Sequence, residues 1–237
     1  PNVSNKIKII HRGVDLDLFN PSQINPARII AQSKLLNLKD NLPVVIMAAR
    51  PAMWKGYLAL IKALSKVEHD FQCVMIGAGD GNQKFQKVII KKIIQSKLES
   101  KIKLVSSTRD IQAAMILGDI IVMPSLTPEP FGRIVLEAQA LGKIPIAFDH
   151  GGASETIIDG KNGFLADPVK SESLSEKISF ALSLKSSRVQ SCLSGSLILE
   201  PVRSKYGAFS LIFGIFVLFT AYVFLGPNKD IDENVNI

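Results

Sequence analysis

Two glutamates, Glu129 and Glu137, lie eight positions apart in the segment P-S-L-T-P-E-P-F-G-R-I-V-L-E. The apolar run 119–123 predicts a short buried strand ahead of the pair, and the residues from Arg133 onward predict a helix after it. A strand, a tight loop and a helix N-terminus together form a typical site for an anionic or hydroxyl-rich ligand. We therefore expect Glu129 at the mouth of a cleft and Glu137 on the helix, facing the same cleft.

Proline and glycine define the backbone around this pair. Pro130 suits the first turn of a helix, where its missing N–H is not needed. The helix is expected to continue from Arg133 until Gly142 ends it. In the alternative interpretation, Glu129 only caps the helix and Glu137 is a solvated helix residue without a ligand.

Two cations form a second cluster, Arg50 and Lys55 in the segment A-A-R-P-A-M-W-K-G. The segment follows a predicted strand at 44–48 and opens a predicted helix at 56–66. Arginine offers a planar fork of donors and lysine a compact charge, and both suit a diphosphate. This context favours a diphosphate site over two unrelated surface charges.

Two glycine-containing turns are weaker signals. Gly77 and Gly79 follow a predicted strand as in a dinucleotide fold, but the third glycine of that fingerprint is replaced by Asn82. We interpret this turn as mainly structural. The pair Gly151 and Gly152 permits another tight turn before a predicted helix.

Metal and nucleic-acid sites are not expected. The histidines (His11, His69, His150) and the cysteines (Cys73, Cys192) lack metal-ligand spacing. The net charge of +7 is concentrated in seven lysines within twenty residues: Lys84, Lys87, Lys91, Lys92, Lys97, Lys101 and Lys103. In their helix Phe85, Val88, Ile89, Ile93 and Ile94 are expected to form the apolar face, with Lys84, Lys87 and Lys91 outward. We interpret this lysine face as solvent-exposed, in preference to a surface that binds anionic lipid. Binding of nucleic acid is discounted because no aromatic residues lie between the lysines.

Short apolar runs alternate with amphipathic helical windows along most of the chain. Strands are predicted at 44–48, 71–76, 102–105, 120–123 and 144–148, with helices between them and a short strand after Asn162-Gly163. This alternation predicts an α/β fold, a Rossmann-like parallel sheet with helices on both faces. In such sheets ligands bind beyond the carboxyl ends of the strands, where all of these motifs fall.

Several of these segments resemble one enzyme family. The pattern E-P-F-G-x-x-x-x-E resembles the paired-glutamate motif of retaining, nucleotide-sugar-dependent glycosyltransferases of family 4 (glycosyl transferases group 1), which have the two-lobed GT-B fold. The cation segment resembles the family's G-R-x-x-x-x-K-G, with Ala49 in place of the first glycine. Segments 12–15, 151–155 and 159–165 resemble its N-G-V-D, G-G-x-x-E and D-G-x-N-G-x-L signatures, with Arg12 in place of asparagine.

The resemblance covers residues 6–184 and implies the C-terminal, donor-binding lobe alone. It implies hexosyl transfer from a nucleotide diphosphate sugar to a hydroxyl, with retained configuration and no metal cofactor. A lipopolysaccharide- or glycolipid-type glycan is the acceptor class that it suggests. The implied catalytic residues are Arg50, Lys55 and Glu129. The implied donor-binding residues are Phe131, Gly132, Glu137, Gly151 and Gly152, with Glu137 on the ribose hydroxyls.

The C-terminal part has a different composition. We expect the lobe at 1–184, a serine-rich linker at 185–207, a transmembrane helix at 208–225 and an acidic tail at 226–237. Eighteen uncharged residues would span about 27 Å as a helix. The positive-inside rule then places the lobe on the cytoplasmic face.

Because the resemblance implies that the N-terminal lobe is not part of this sequence, we expect several functions to remain open. An active transferase is expected to need that lobe, which a separate chain could supply, and its acceptor could be a membrane lipid or a lipid-linked glycan. Alternatively, the chain is a membrane-anchored module that binds nucleotide without catalysis, the remnant of a decayed or frameshifted gene. For the tail, gene decay or a frameshift is slightly favoured over a genuine membrane anchor. Sugar-nucleotide epimerase activity is a third, less favoured function, because the E-P-F-G motif is not typical of those epimerases.

Overall fold

A computed structural model describes residues 13–186 of the chain, apart from Asn82 and Ser171. Its centre is a six-stranded sheet with the order β3-β2-β1-β4-β5-β6. All neighbouring strands are parallel. The strands are β1 (Val44–Ala48), β2 (Gln72–Ile76), β3 (Ile102–Val105), β4 (Ile120–Met123), β5 (Ile144–Phe148) and β6 (Phe164–Ala166). The predicted Rossmann-like parallel sheet is confirmed.

Helices cover both faces of this sheet. They are α1 (Pro26–Leu35), α2 (Tyr57–Leu64), α3 (Gln83–Gln95), α4 (Ile111–Met115), α5 (Arg133–Ala140), α6 (Gly152–Thr156) and α7 (Ser173–Ser186). One apolar cluster joins α2, α3 and α7 to the sheet and includes Val45. A second cluster joins α4, α5 and the end of α1 to the other face and includes Ile46. Neighbouring strand residues belong to different clusters because successive side chains point to opposite faces.

The strands were predictable because they are buried on both faces. β1, β2 and β4 are almost entirely apolar, and every residue of β2 and β4 is buried. A sheet covered by helices on both sides selects such continuous apolar runs instead of an alternating pattern. The four predicted strands at 44–48, 102–105, 120–123 and 144–148 have the observed bounds.

The lysine-bearing helix α3 differs from its predicted apolar face. Phe85, Ile89 and Ile93, spaced four residues apart, are buried, but Val88 is 44% exposed and Ile94 is 54% exposed. The buried residues of α3 therefore follow a spacing of four and belong to the apolar cluster shared with α2 and the sheet, while Val88 and Ile94 lie outside this stripe. Lys84, Lys87 and Lys91 are exposed, as expected.

The start of α5 also differs from expectation. The helix begins at Arg133, so Pro130 lies in the preceding loop and not in the first turn. Gly132 separates the two, with a φ of 70°. This left-handed conformation is not that of a right-handed helix residue, so the helix cannot extend back to Pro130.

Several predictions concern residues at or beyond the end of the described part of the chain. α7 ends at Ser186, two residues past the predicted lobe boundary at 184. The remainder of the linker at 187–207, the apolar segment 208–225, the acidic tail 226–237, Cys192 and His11 lie outside the described residues. Between residues 13 and 186, no helix combines the length and apolar character needed to cross a bilayer.

Candidate active site

A cleft of about 720 Å³ opens at the carboxyl ends of the central strands. Its walls come from the segments after β1, β2, β3 and β4 and from the first half of α5. β1 and β4 are neighbours in the sheet, yet their connections leave in opposite directions along it. This is the topological switch point, where open α/β sheets bind ligands. Of the predicted site residues, six line the cleft: Arg50, Lys55, Glu129, Phe131, Gly132 and Glu137.

The cation segment after β1 is held by the segment after β4. The chain turns through a short 3-10 helix (Met53–Lys55) into Gly56, whose φ is 81°. A Cβ on Gly56 would lie 1.7 Å from the carbonyl oxygen of Pro124, so only glycine fits. Nearby, the Leu126 N–H donates to the Trp54 carbonyl at 2.6 Å. The two loops therefore form one unit, which brings the lysine to the glutamate loop.

Lys55 and Glu129 form an ion pair in the cleft. The Lys55 Nζ lies 2.7 Å from the Glu129 Oε1, and the two side chains are only 17% and 15% exposed. The same oxygen accepts a hydrogen bond from the Ser125 hydroxyl. The Lys55 ammonium also lies 4.1 Å from the centre of the Trp54 ring. Two predicted catalytic residues, 74 positions apart, are thus in direct contact.

Glu137 lies half-buried on α5, one helical turn after Arg133, and both residues line the cleft. Burial raises the pKa of the Glu137 carboxyl, and the positive charge of Arg133 partly opposes this shift. No side chain caps the N-terminus of α5. The helix therefore presents a positive dipole end and a carboxylate to the same cleft.

Gly151 and Gly152 lie behind the loop that carries Glu129, and they are not part of the cleft lining. The Gly152 N–H donates to the Glu129 carbonyl at 2.8 Å. Added Cβ atoms would lie 2.5 Å from the Glu129 carbonyl oxygen at Gly151 and 2.4 Å from the Phe131 carbonyl oxygen at Gly152. The two glycines let the loop pack closely, and so they support the site from outside.

Sequence reasoning missed several cleft residues, among them Asp80, Ser107, Thr108 and Ser125. The Ser107 N–H donates to an Asp80 carboxylate oxygen at 2.7 Å. Hydrogen bonds from Ser107 hold the pKa of the Asp80 carboxyl below its ordinary value. Ser107 and Thr108 follow β3 directly, so the rule that ligands bind at strand ends could have found them.

The buried hydroxyl of Tyr57 supports the floor of the cleft. It donates to the Ala49 carbonyl at 2.5 Å, just ahead of Arg50. Burial raises the pKa of Tyr57, and the nearby negative charge of Asp80 adds to the shift. The phenol therefore remains a neutral donor that holds the cation segment in place.

The arrangement suits a ligand with both anionic and hydroxyl groups. Arg50, Lys55 and the N-terminus of α5 can meet negative charge, while Glu129 and Glu137 can accept hydrogen bonds from hydroxyls. Among the described residues, no group of three or more histidine, cysteine or carboxylate side chains is placed to hold a metal ion.

Comparison with known proteins finds several glycosyltransferases among the similar proteins. The chain is 29% identical over 159 residues to the lipopolysaccharide 1,2-N-acetylglucosaminetransferase of Salmonella typhimurium, covering 63% of this chain and 42% of that enzyme. It is similar in structure to Anabaena HepE, solved in complex with UDP-glucose, with a TM-score of 0.71 and 26% identity. That match covers 91% of this chain and 57% of HepE.

A further solved structure is the C-terminal domain of a glycosyl transferase group 1 protein (LpcC) from Francisella tularensis. The TM-score is 0.61 at 25% identity, and the match covers 82% of this chain and 98% of that domain. The chain thus spans less than half the length of the Salmonella enzyme but nearly all of an isolated domain. Residues 29–191 match the family model for glycosyl transferases group 1, and the chain belongs to this family.

Proposed function

We propose that this chain is the donor-binding lobe of a two-lobed, retaining family 4 glycosyltransferase. Its donor would be a nucleoside diphosphate sugar, and its product a hexosyl group on a hydroxyl acceptor. One observation carries the proposal: the cleft at the switch point holds Arg50, Lys55, Glu129 and Glu137 together. A UDP-sugar is the first candidate, since HepE, which is similar in structure, binds UDP-glucose.

The two cations would act on the leaving group. As the bond from the sugar to the diphosphate breaks, negative charge builds up on the diphosphate oxygens. Arg50 and Lys55 would stabilise that charge from fixed positions, which is electrostatic catalysis. The proposed reaction uses no metal ion, because the two side chains supply the positive charge.

The two glutamates would hold the hydroxyl-bearing parts of the donor. Glu137, on α5, would accept hydrogen bonds from the ribose hydroxyls. Glu129, together with the backbone at Phe131 and Gly132, would position the sugar. Gly151 and Gly152 would act indirectly, through the backbone of Glu129 and Phe131 that they pack against.

The acceptor would bind between this lobe and an N-terminal lobe. The chain spans 42% of the Salmonella enzyme and 98% of the Francisella C-terminal domain, which supports a C-terminal lobe. The N-terminal lobe would belong to the same longer protein or to a separate chain. A glycolipid-type acceptor is proposed because the Salmonella relative is named for lipopolysaccharide. If segment 208–225 spans a membrane, the positive-inside rule would place the lobe at the cytoplasmic face, within reach of such an acceptor.

Calorimetric titration with UDP-glucose tests the site. Arg50→Ala and Glu137→Ala should each weaken binding by about 1–3 kcal/mol, because each removes charge-assisted hydrogen bonds to the ligand. Lys62→Ala, an exposed lysine on α2, is the matched control and should leave the affinity unchanged. Unchanged affinity in both cleft variants would contradict the assignment.

Turnover separates the function classes. With an N-terminal lobe and an acceptor present, the proposal expects sugar transfer with the anomeric configuration retained, measured by NMR of the product. Donor binding without transfer under these conditions would support the non-catalytic module. Interconversion of the sugar on the nucleotide would support an epimerase.

A further inference from the structure

We infer that Ser125 is a positioning residue: it fixes the Glu129 carboxylate on the donor sugar while Lys55 serves the diphosphate. The inference rests on the proposed function, and it assigns a task to a buried hydroxyl that the proposed reaction leaves unused. It predicts that Ser125 contributes to the affinity for a nucleotide sugar but not to the affinity for the nucleotide alone.

The first step is the shared oxygen. The Glu129 Oε1 accepts hydrogen bonds from both the Ser125 hydroxyl and the Lys55 ammonium. Ser125 is 1% exposed and lies two residues after the end of β4, so its hydroxyl cannot turn freely to water. Glu129 is therefore held by two donors, the Lys55 ammonium on a long flexible side chain and the Ser125 hydroxyl on a short buried one.

The second step is the rigid frame around these groups. Gly56 packs against the Pro124 carbonyl, and Leu126 donates to the Trp54 carbonyl, on either side of Ser125. On the other side, the Gly152 N–H holds the Glu129 carbonyl. The backbone at both Ser125 and Glu129 is thus fixed. The position of the Glu129 carboxylate therefore depends on the donors that hold its side chain.

The third step is the competition for Lys55. A diphosphate in the cleft would draw the Lys55 ammonium away from Glu129, since a diphosphate carries more negative charge than one carboxylate. The carboxylate would then lose its cation, and the Ser125 hydroxyl would be the donor that keeps it in place. A fixed carboxylate loses less conformational entropy when it accepts the sugar hydroxyls.

The positioning role of Ser125 predicts different effects on the affinities for two ligands, UDP and UDP-glucose. UDP contains the ribose and the diphosphate but no donor sugar for Glu129 to bind, so its affinity should not depend on Ser125. UDP-glucose contains both groups, so its affinity should depend on Ser125. The ratio of the two dissociation constants reports the positioning role without any need for an acceptor lobe.

The experiment is calorimetric titration of the full chain with UDP and with UDP-glucose, for the wild type, Ser125→Ala and Ser125→Thr. Ser125→Ala should weaken UDP-glucose binding about ten-fold, the usual effect of losing a hydrogen bond to a charged group, and change UDP binding less than two-fold. Ser125→Thr keeps the hydroxyl and should restore most of the UDP-glucose affinity. Ser154→Ala, at an exposed position of α6, is the matched control and should change neither affinity.

Different failures are distinguishable. An equal loss of affinity for both ligands, or no change for either, would overturn the positioning role and leave the donor site intact. If the alanine variant does not fold, Ser125→Cys replaces it, because a thiol is a weak donor of similar size. The UDP-glucose to UDP preference must then be lower in the cysteine variant than in the threonine variant. Absence of binding of either ligand to the wild type would instead contradict the proposed function.

Discussion

Glu137 shows how a residue proposed to bind a ligand can weaken the fold that carries it. Its carboxyl is half-buried, and burial raises its pKa above the ordinary value of 4.5. The folded state therefore ionises this group less readily than the unfolded state does. Below pH 4.5 the carboxyl is largely protonated in both states and costs nothing. As the pH rises above 4.5, the unfolded chain ionises first and the fold loses stability, and this loss is complete once the pH has passed the folded-state pKa.

The prediction is a pH-dependent gain in stability for Glu137→Gln. The thermal midpoint of the variant relative to the wild type should rise between pH 4 and pH 7, because glutamine keeps the shape without the charge. Scanning calorimetry at several pH values measures this difference. Glu99→Gln, at an exposed position, is the control and should show no such trend. A difference that falls as the pH rises would contradict the argument.

At this scale the sequence allowed prediction of the residues but not of their contacts. Arg50, Lys55, Glu129 and Glu137 were predicted from residue type, from spacing between a strand and a helix, and from the family resemblance. The contact of Lys55 with Glu129 was not predicted, since the two are joined only when β1 and β4 become neighbours. Ser125 was missed as a site residue because a serine after a proline carries no charge and no distinctive spacing.

At the scale of the elements, the loops after β1 and β4 depend on a glycine at position 56. Gly56→Ala would place a Cβ 1.7 Å from the Pro124 carbonyl oxygen, with a φ of 81°. We expect a loss of more than about 2 kcal/mol in the free energy of unfolding. Gly142→Ala is matched, because it has a similar φ of 67° but open space around it. In Gly142→Ala, backbone strain alone should lower the free energy of unfolding by about 1 kcal/mol.

Urea unfolding of the two variants measures both effects. The difference between them isolates the close approach of the two loops, since the backbone strain is common to both. Equal losses in Gly56→Ala and Gly142→Ala would mean that the loops can separate at little cost. The cation segment would then not be held firmly against the glutamate loop.

Helix α3 offers a test of which isoleucines support the core. Ile93 is 6% exposed and belongs to the main apolar cluster, whereas its neighbour Ile94 is 54% exposed. Ile93→Ala should lower the free energy of unfolding by about 2–4 kcal/mol through the cavity it leaves. Ile94→Ala should change it by less than about 0.5 kcal/mol, as surface substitutions usually do. The reverse order, in chemical denaturation, would show that α3 is rotated relative to the described structure.

The elements differ in how far they could be predicted. The strands were found because continuous apolar runs reflect burial on both faces. α1 and α7 were not identified, since the serine-rich sequence of α7 and the polar sequence of α1 are also typical of loops. The N-terminus of α5 was placed too early, because a proline usually marks a first turn but Gly132 adopts a left-handed conformation here.

At the scale of the whole molecule, the described residues form one sheet with its own apolar core on each face. Within the described residues the sheet runs from β3 to β6, and helices cover both of its faces. The cleft is lined by residues between Met47 and Glu137, so no residue after Ser186 is part of its described lining. The isolated Francisella domain, of which this chain covers 98%, was itself crystallised alone. The lobe should therefore fold and bind its donor independently.

The prediction is that a chain ending at Ser186 unfolds in one cooperative transition and binds UDP-glucose within about two-fold of the full chain. The control is a chain ending at Val169, which lacks α7. Four α7 residues lie in the core beside α2 and the sheet: Leu174, Ile178, Ala181 and Leu182. Their removal exposes apolar surface on one face of the sheet, and each large one contributes about 1.5–3 kcal/mol when buried. Because a domain of this size is stable by only about 5–15 kcal/mol, the shorter chain should not fold. Loss of UDP-glucose binding in the chain ending at Ser186, with cooperative unfolding retained, would instead assign a role in donor binding to residues 187–237.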